Sequence, residues 1–213
     1  MKLYNYWRSS ASWRVRIALA YKNVAYQYIP INLMANEQQS DDFLAINPLG
    51  QVPVLEWEDV GQVRRLSQSM AILELLEEQF PNAPLLPADA YARGVARMIA
   101  EMMNAGIQPL QNLRVAVYVE QRFEEDRAKW NAHWIEEGLA ALETVVCKTA
   151  GDFCVGNTVT IADCCLIPQL YAARRFGVEL LSYRTLARIE ATCQQLPAFR
   201  AAHAEQQPDA KKS

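Results

Sequence analysis

The 213-residue chain is 51% hydrophobic, enough to bury one large core or two modest ones, which excludes a disordered chain. Its 21 basic and 24 acidic residues leave a net charge of -3 with no basic stripe, which excludes nucleic acid as a partner. No run of about 18 apolar residues could span a membrane, and the first residues lack the apolar stretch of a signal peptide, so a cytoplasmic protein without a membrane partner is expected.

Residues 2–6 place Leu3 and the aromatics Tyr4 and Tyr6 in a strand pattern, interrupted by polar residues from Arg8 to Ser12. Residues 13–20 then take a helical period, and 25–31, rich in aromatic and β-branched types, predict a second strand. A strand, helix, strand unit of this length implies a parallel pair with a right-handed crossover. A polar stretch around 36–42 and the turn-like Asn47-Pro48-Leu49-Gly50 precede two short predicted strands, 52–57 and 62–65. Pro53 inside the first argues for an edge strand or a special bend, a cis bond among the options, because proline donates no ladder hydrogen bond. Ser67-Gln68-Ser69 leads into a predicted helix over 69–79, with Ile72, Leu73, Leu75 and Leu76 on its apolar side.

Three prolines in residues 80–88 mark the best boundary in the chain. Beyond it the strand signals fade, and helical patterns occupy 89–104, 107–121, 126–147, 160–175 and 184–195. The expected organisation is a small α/β domain over residues 1–81 followed by an all-α domain over 88–213.

Four constellations could carry chemistry. The three hydroxyls of Ser9, Ser10 and Ser12 lie between a strand end and a helix start, where unpaired N–H groups and a partial positive charge favour an anion such as a thiolate. Lowering a thiol pKa by about two units needs roughly 2.7 kcal/mol, within reach of one hydroxyl hydrogen bond plus the helix dipole. A cap at Ser10 or Ser12 accounts for one of these serines but not for all three. Gln68-Ser69, with Gln51-Val52-Pro53 before it, could hold a carboxylate and pair with a peptide backbone, although read alone Gln68-Ser69 is an ordinary helix cap. Thr160-Ile161-Ala162-Asp163 has the spacing of a capping box and is assigned to folding. The arginines Arg8, Arg114, Arg174 and Arg175 could take carboxylates, but the last two close an apolar helix, where cations also balance the dipole.

Five cysteines, an odd number, fit thiols of a reducing compartment that serve as small core residues. The vicinal Cys164-Cys165 pair lacks the Cys-x-x-Cys spacing of a thioredoxin-type redox site. His133 and His203 sit in no zinc-like pattern, so no metal is expected.

These segments, taken together, resemble the zeta-class glutathione transferases. The resemblance runs nearly end to end and is carried by Ser9 to Leu19, Asn47-Pro48 with Gln51-Val52-Pro53, Gln68-Ser69, Ile107 to Leu113, and Val155-Gly156 with Thr160 to Asp163. It implies a glutathione transferase fold: an α/β thioredoxin-like N-terminal domain with a cis bond before Pro53, an all-α C-terminal domain, and a homodimer. It implies glutathione as cofactor, with Ser9 facing the sulfur, Ser10 supporting it, Ser12 among the cofactor-binding residues, and Val52 main-chain groups pairing with the cysteinyl part. Gln68 and Ser69 would take the γ-glutamyl end and Gln39 the glycyl end, while Gln108 and Asn112 would reach in from the helical domain. Arg8 and Arg175, joined by Arg114, would bind the carboxylates of a small maleyl-type dicarboxylate undergoing cis–trans isomerisation. Ala11 stands where the family's loop usually carries cysteine, which removes the protein thiol that a mixed-disulfide route in the related reductive dehalogenases needs and leaves isomerisation intact. Two alternatives stay open: conjugation or haloacid chemistry on the same glutathione site, and a non-catalytic interaction module.

Overall fold

The computed structural model describes residues 1–210; the last three residues of the predicted second domain lie outside it. It divides into two compact units, Met1–Pro84 together with the chain from Leu196 onward, and Leu85–Gln195.

In the first unit, β1 (Lys2–Asn5) leads into α1 (Ser10–Tyr21) and returns as β2 (Gln27–Pro30), parallel to β1 with Leu3 opposite Tyr28. The polar stretch predicted as a connection closes in a short helix, α2 (Asp41–Ile46), because the Ser40 hydroxyl caps it by accepting from the Phe43 N–H at 3.3 Å and Asp41 and Asp42 fill its first turn. β3 (Val54–Asp59) and β4 (Gln62–Ser67) form a hairpin whose two-residue turn, Val60-Gly61, has both residues at positive φ, the geometry that matches strand twist. The sheet order is β2-β1-β3-β4, so β3 pairs on both sides and is not an edge strand. Pro53 causes no gap in the ladder, because it lies just ahead of β3 in a cis bond to Val52. After α3 (Ser69–Gln79), the unit is completed by α9 (Pro197–Ala202), which packs on α1 and starts with proline, as suits a first helical turn.

Helix α1 has no polar face: residues 12–19 are all buried, Arg14 and Arg16 included. A buried guanidinium persists only if its donors find acceptors. Arg16 finds the side-chain oxygen of Asn5 (3.0 Å) and the carbonyls of Tyr6 (3.3 Å), Trp7 (2.7 Å) and Ala202 (3.3 Å). Burial, only partly opposed by Tyr28, Tyr26 and Asp209, lowers its pKa to about 10.

The second unit contains α4 (Ala90–Glu101), a π-helical continuation over Met102–Ile107, α5 (Leu113–Phe123), α6 (Arg127–Val146), α7 (Ile161–Arg175) and α8 (Arg184–Gln194). The helix predicted from residue 107 starts only at Leu113, because residues 108–111 form turns around Pro109 and Asn112 supplies the cap. α7 is the central element, with twelve buried residues. Its capping box is formed: Asp163 accepts from the Thr160 N–H (2.7 Å), the Thr160 hydroxyl (2.9 Å) and the Cys154 N–H (2.8 Å). Cys154, Cys164, Cys165 and Cys193 are buried, Cys147 is exposed, and no disulfide forms among the described residues. Among the described residues no helix is long and apolar enough to cross a membrane.

Candidate active site

The N-terminus of α1 is capped by Ser9, not by Ser10 or Ser12 as the sequence suggested. Its hydroxyl oxygen accepts from the Ser12 N–H at 3.2 Å, and its carbonyl accepts from Trp13 at 2.9 Å. A hydroxyl that accepts a backbone bond still has its own proton to give. The N–H groups of Ser10 and Ala11 find no acceptor among the described residues. One O–H and two N–H donors therefore cluster at the positive end of a 12-residue helix, a place suited to a thiolate. Ser9 and Ser10 are half-buried, whereas Ser12 is fully buried and its hydroxyl lacks a hydrogen-bond partner among the described residues. Ser12 thus sits behind the loop and presents no surface to a ligand. Arg8 lies half-buried with its guanidinium 5.1 Å from the Trp7 ring centroid, a cation–π contact that directs the side chain.

The second part of the site is backbone. Asn47 shapes the approach to Pro53: its amide donates to the Gln51 carbonyl at 2.7 Å, its side-chain oxygen accepts from the Leu49 N–H at 3.3 Å, and its carbonyl accepts from the Gly50 N–H at 2.9 Å. Gly50 has φ +59°, and a Cβ there would meet the Gln38 carbonyl at 2.9 Å and the Gln39 amide, so only glycine lets residues 38 and 39 close onto this turn. Gln39 is exposed beside it. Val52, held against cis-Pro53, makes no main-chain hydrogen bond among the described residues. Its N–H and C=O are an open rung for an extended peptide.

The third part is the start of α3. Gln68 has φ 71° and ψ 113°, sparsely populated for a residue with a Cβ, and backbone strain of this kind gathers at ligand sites. Ser69 is buried and its hydroxyl accepts from the Arg14 guanidinium at 3.1 Å. Arg14 therefore ties the start of α3 to α1. The Ser69 and Ala71 N–H groups have no acceptor among the described residues and can serve a carboxylate. Arg14 was no candidate in the sequence, where its helical spacing gives no sign that it is buried.

In the second unit, Gln108 is half-buried and follows the π-helical segment, while Asn112 caps α5 by accepting from the Arg114 N–H at 3.0 Å. The turn between them is pinned twice. Gln111 and Gln169 exchange amide bonds at 3.1 and 3.2 Å, and the Trp130 indole donates to the Leu110 carbonyl at 2.8 Å. Neither Gln169, fully buried in α7, nor Trp130 was singled out in the sequence. Arg114 and Arg175 are exposed, the latter with its guanidinium 4.5 Å from the Phe176 ring centroid. Arg174, by contrast, is committed to a two-pronged ion pair with Glu190, at 2.6 and 2.5 Å.

Residues 1–78 match the model of the glutathione S-transferase N-terminal domain. The maleylacetoacetate isomerase of Rattus norvegicus is 45% identical over 209 residues, covering 97% of this chain and 94% of that one. The chain belongs to the zeta-class glutathione transferases. Among solved structures it is similar to a maleylacetoacetate isomerase from Anaeromyxobacter dehalogenans with glutathione in the active site (TM-score 0.92, 49% identity, 98% of this chain and 97% of that one). It is similar too to a maleylpyruvate isomerase described as a bacterial zeta-class transferase (TM-score 0.93, 42% identity, 99% and 100% covered). In this zeta-class transferase, the capped serine loop, the open rung at Val52 and the strained start of α3 all belong to the unit whose sequence matches the N-terminal domain.

Proposed function

We propose that this zeta-class transferase is a glutathione-dependent cis–trans isomerase converting maleylacetoacetate to fumarylacetoacetate in tyrosine and phenylalanine breakdown. The observation that carries it is the Ser9 hydroxyl, which accepts from Ser12 and keeps its proton for an anion, beside the open N–H groups of Ser10 and Ala11. The residues present suit a γ-glutamyl tripeptide: donors for the thiolate at α1, an open rung for the cysteinyl part at Val52, N–H groups for the γ-glutamyl carboxylate at Ser69, and Gln68 and Gln39 for its two ends.

When bound, glutathione would supply a thiolate nucleophile able to add reversibly to the cis double bond, so that the tripeptide serves as a cofactor and is not consumed. Ser9 donates its hydroxyl proton in a hydrogen bond to the sulfur and lowers the thiol pKa, with Ser10 supporting it. We assign Arg8 and Arg175, with Arg114, to the substrate carboxylate and to the charge that gathers on the carbonyl oxygen next to the double bond, and Gln108 and Asn112 to glutathione binding. The domains we assign are a glutathione-binding domain at 1–81, completed by the returning chain from Leu196, and a substrate-binding domain in the helices that start at residue 88 and end before that return, where the sequence alone carried it to 213.

Maleylpyruvate is the alternative substrate, since a zeta-class maleylpyruvate isomerase and a maleylacetoacetate isomerase are both similar to this chain over nearly its whole length. Turnover of both maleyl compounds and of an α-haloacid, each with glutathione, tests the assignment. The highest kcat/KM on maleylacetoacetate supports it; preference for maleylpyruvate moves the substrate, and activity on the haloacid alone rejects isomerisation. We place the enzyme in the cytoplasm, in keeping with an odd number of cysteines, four of them buried. We also assign a homodimer, supported by the exposed Tyr91 and Met98 two turns apart on α4; sedimentation at the monomer mass would reject it.

A further inference from the structure

The loop that carries Arg8 and Ser9 is held from the far end of the chain. The Asp209 carboxylate accepts from the Trp7 main-chain N–H at 3.1 Å with one oxygen and from the Tyr28 hydroxyl with the other, in a short hydrogen bond. Trp7 is also held by its carbonyl, which accepts from Arg16 at 2.7 Å, and the same guanidinium takes the Tyr6 and Ala202 carbonyls. The Tyr6 carbonyl in turn accepts from the Ser9 N–H at 3.0 Å. Both peptide faces of Trp7 are therefore clamped, one by Arg16 in α1 and one by Asp209, and the next residues are Arg8 and Ser9.

The segment presenting Asp209 is itself built to stay in place. The Gln207 amide donates to the Ala201 and His203 carbonyls at 2.9 and 2.8 Å, closing the end of α9. The His203 and Trp13 rings meet in a T-shaped contact at 4.9 Å between centroids. Asp209 also brings negative charge toward Arg16, whose four bonds all go to uncharged oxygens. Tyr28 is raised in pKa, first by burial and then by its bond to Asp209, and stays a hydroxyl donor.

We infer that Asp209 is a positioning residue for the thiol loop: through Trp7 it sets where the Ser9 hydroxyl and the Ser10 and Ala11 N–H groups lie, and so the pKa of the glutathione sulfur. The inference rests on the glutathione-site reading above. A side chain remote from the chemistry exerts such leverage because a misplacement of about 1 Å in a donor can cost up to about 100-fold in rate.

The test uses the full-length protein and the variants D209A, D209N and Y28F. Glutathione binding is measured by calorimetry, and the thiol pKa from the ultraviolet absorbance of the bound thiolate against pH. Absence of binding by the unaltered protein would reject the glutathione-site reading itself. With binding established, D209A is expected to lower kcat/KM for glutathione about tenfold and to raise the bound-thiol pKa correspondingly, by about one unit. D209N, whose side-chain oxygen still accepts from Trp7, should restore most of both, and Y28F should give a smaller shift in the same direction. Where D209A does not fold, Y28F decides: an unmoved thiol pKa and unmoved kcat/KM overturn the inference. A folded D209A with a lower melting temperature but an unchanged thiol pKa overturns it equally, since that is the behaviour of a structural contact alone.

Discussion

Ser9 caps α1 through its oxygen, and the role we propose for its proton, a hydrogen bond to the sulfur, can be separated from the cap by substitution. Ser9→Ala should cost about 1 kcal/mol of stability through the lost cap, and kcat/KM should fall about 10- to 100-fold through the lost bond to a charged sulfur. Ser9→Thr keeps the hydroxyl and should retain most activity; unaltered kinetics in Ser9→Ala would remove the residue from the mechanism. Glu56 gives a pH test of the same unit. Its carboxylate takes bonds from Lys2 (2.9 Å), Arg65 (2.7 Å) and the Tyr4 hydroxyl (3.3 Å), and the bond from Lys2, then that from Arg65, hold its pKa below the usual 4.5. A lowered carboxyl pKa contributes stability that is present above the ordinary value and is lost as pH falls through the folded one. Glu56→Gln should therefore melt earlier than the unaltered protein at neutral pH, and the gap should close as the solution is acidified below 4.5; a constant gap would contradict the ion-pair account. At this scale the sequence exposes what is local. The Ser9 cap and the Thr160–Asp163 box are set by neighbours a few residues away, whereas Arg14, Arg16 and Asp209 look like surface charges until tertiary contacts bury or engage them.

Among the elements, composition, apolar spacing and turn residues were enough to locate β1, α1, β2, β3, β4, α3 and most of the long helices, although β4 is largely exposed and α1 is buried all round. It was not enough for α2 and α9, six residues each, which lack the length for a pattern and are held by a serine cap and by packing on α1. The 102–112 region misled in a different way. Its apolar spacing suggests helix, but the chain widens into a π-helical segment and then turns, and what decides this lies on other helices: Gln169, Trp130 and Gly138. A Cβ on Gly138 would overlap the Ile107 side chain, at the end of the π-helical segment and next to Gln108. Gly138→Ala is expected to cost about 1–3 kcal/mol by overpacking and to lower kcat/KM along with it, since Gln108 moves with Ile107. Thermal melting together with kinetics checks this; a variant equal to the unaltered enzyme in both would show that Ile107 does not fix the Gln108 turn.

For the molecule as a whole, the change from strand to helix signals across residues 80–88 announces two kinds of architecture, and the contacts divide the chain near the same point. The return of the chain from Leu196 to the first unit has no local signature, because it depends on pairs such as Trp7 and Asp209, 202 positions apart. The residues assigned to the sulfur and the peptide backbone of glutathione lie in the first unit, and Gln108, Asn112, Arg114 and Arg175 in the second. The most direct measurement is isomerisation of maleylacetoacetate by the purified protein, with and without glutathione, with free thiol titrated after many turnovers. The account predicts formation of fumarylacetoacetate that requires glutathione and leaves the thiol undiminished; turnover without glutathione, or thiol lost in step with product, would contradict it.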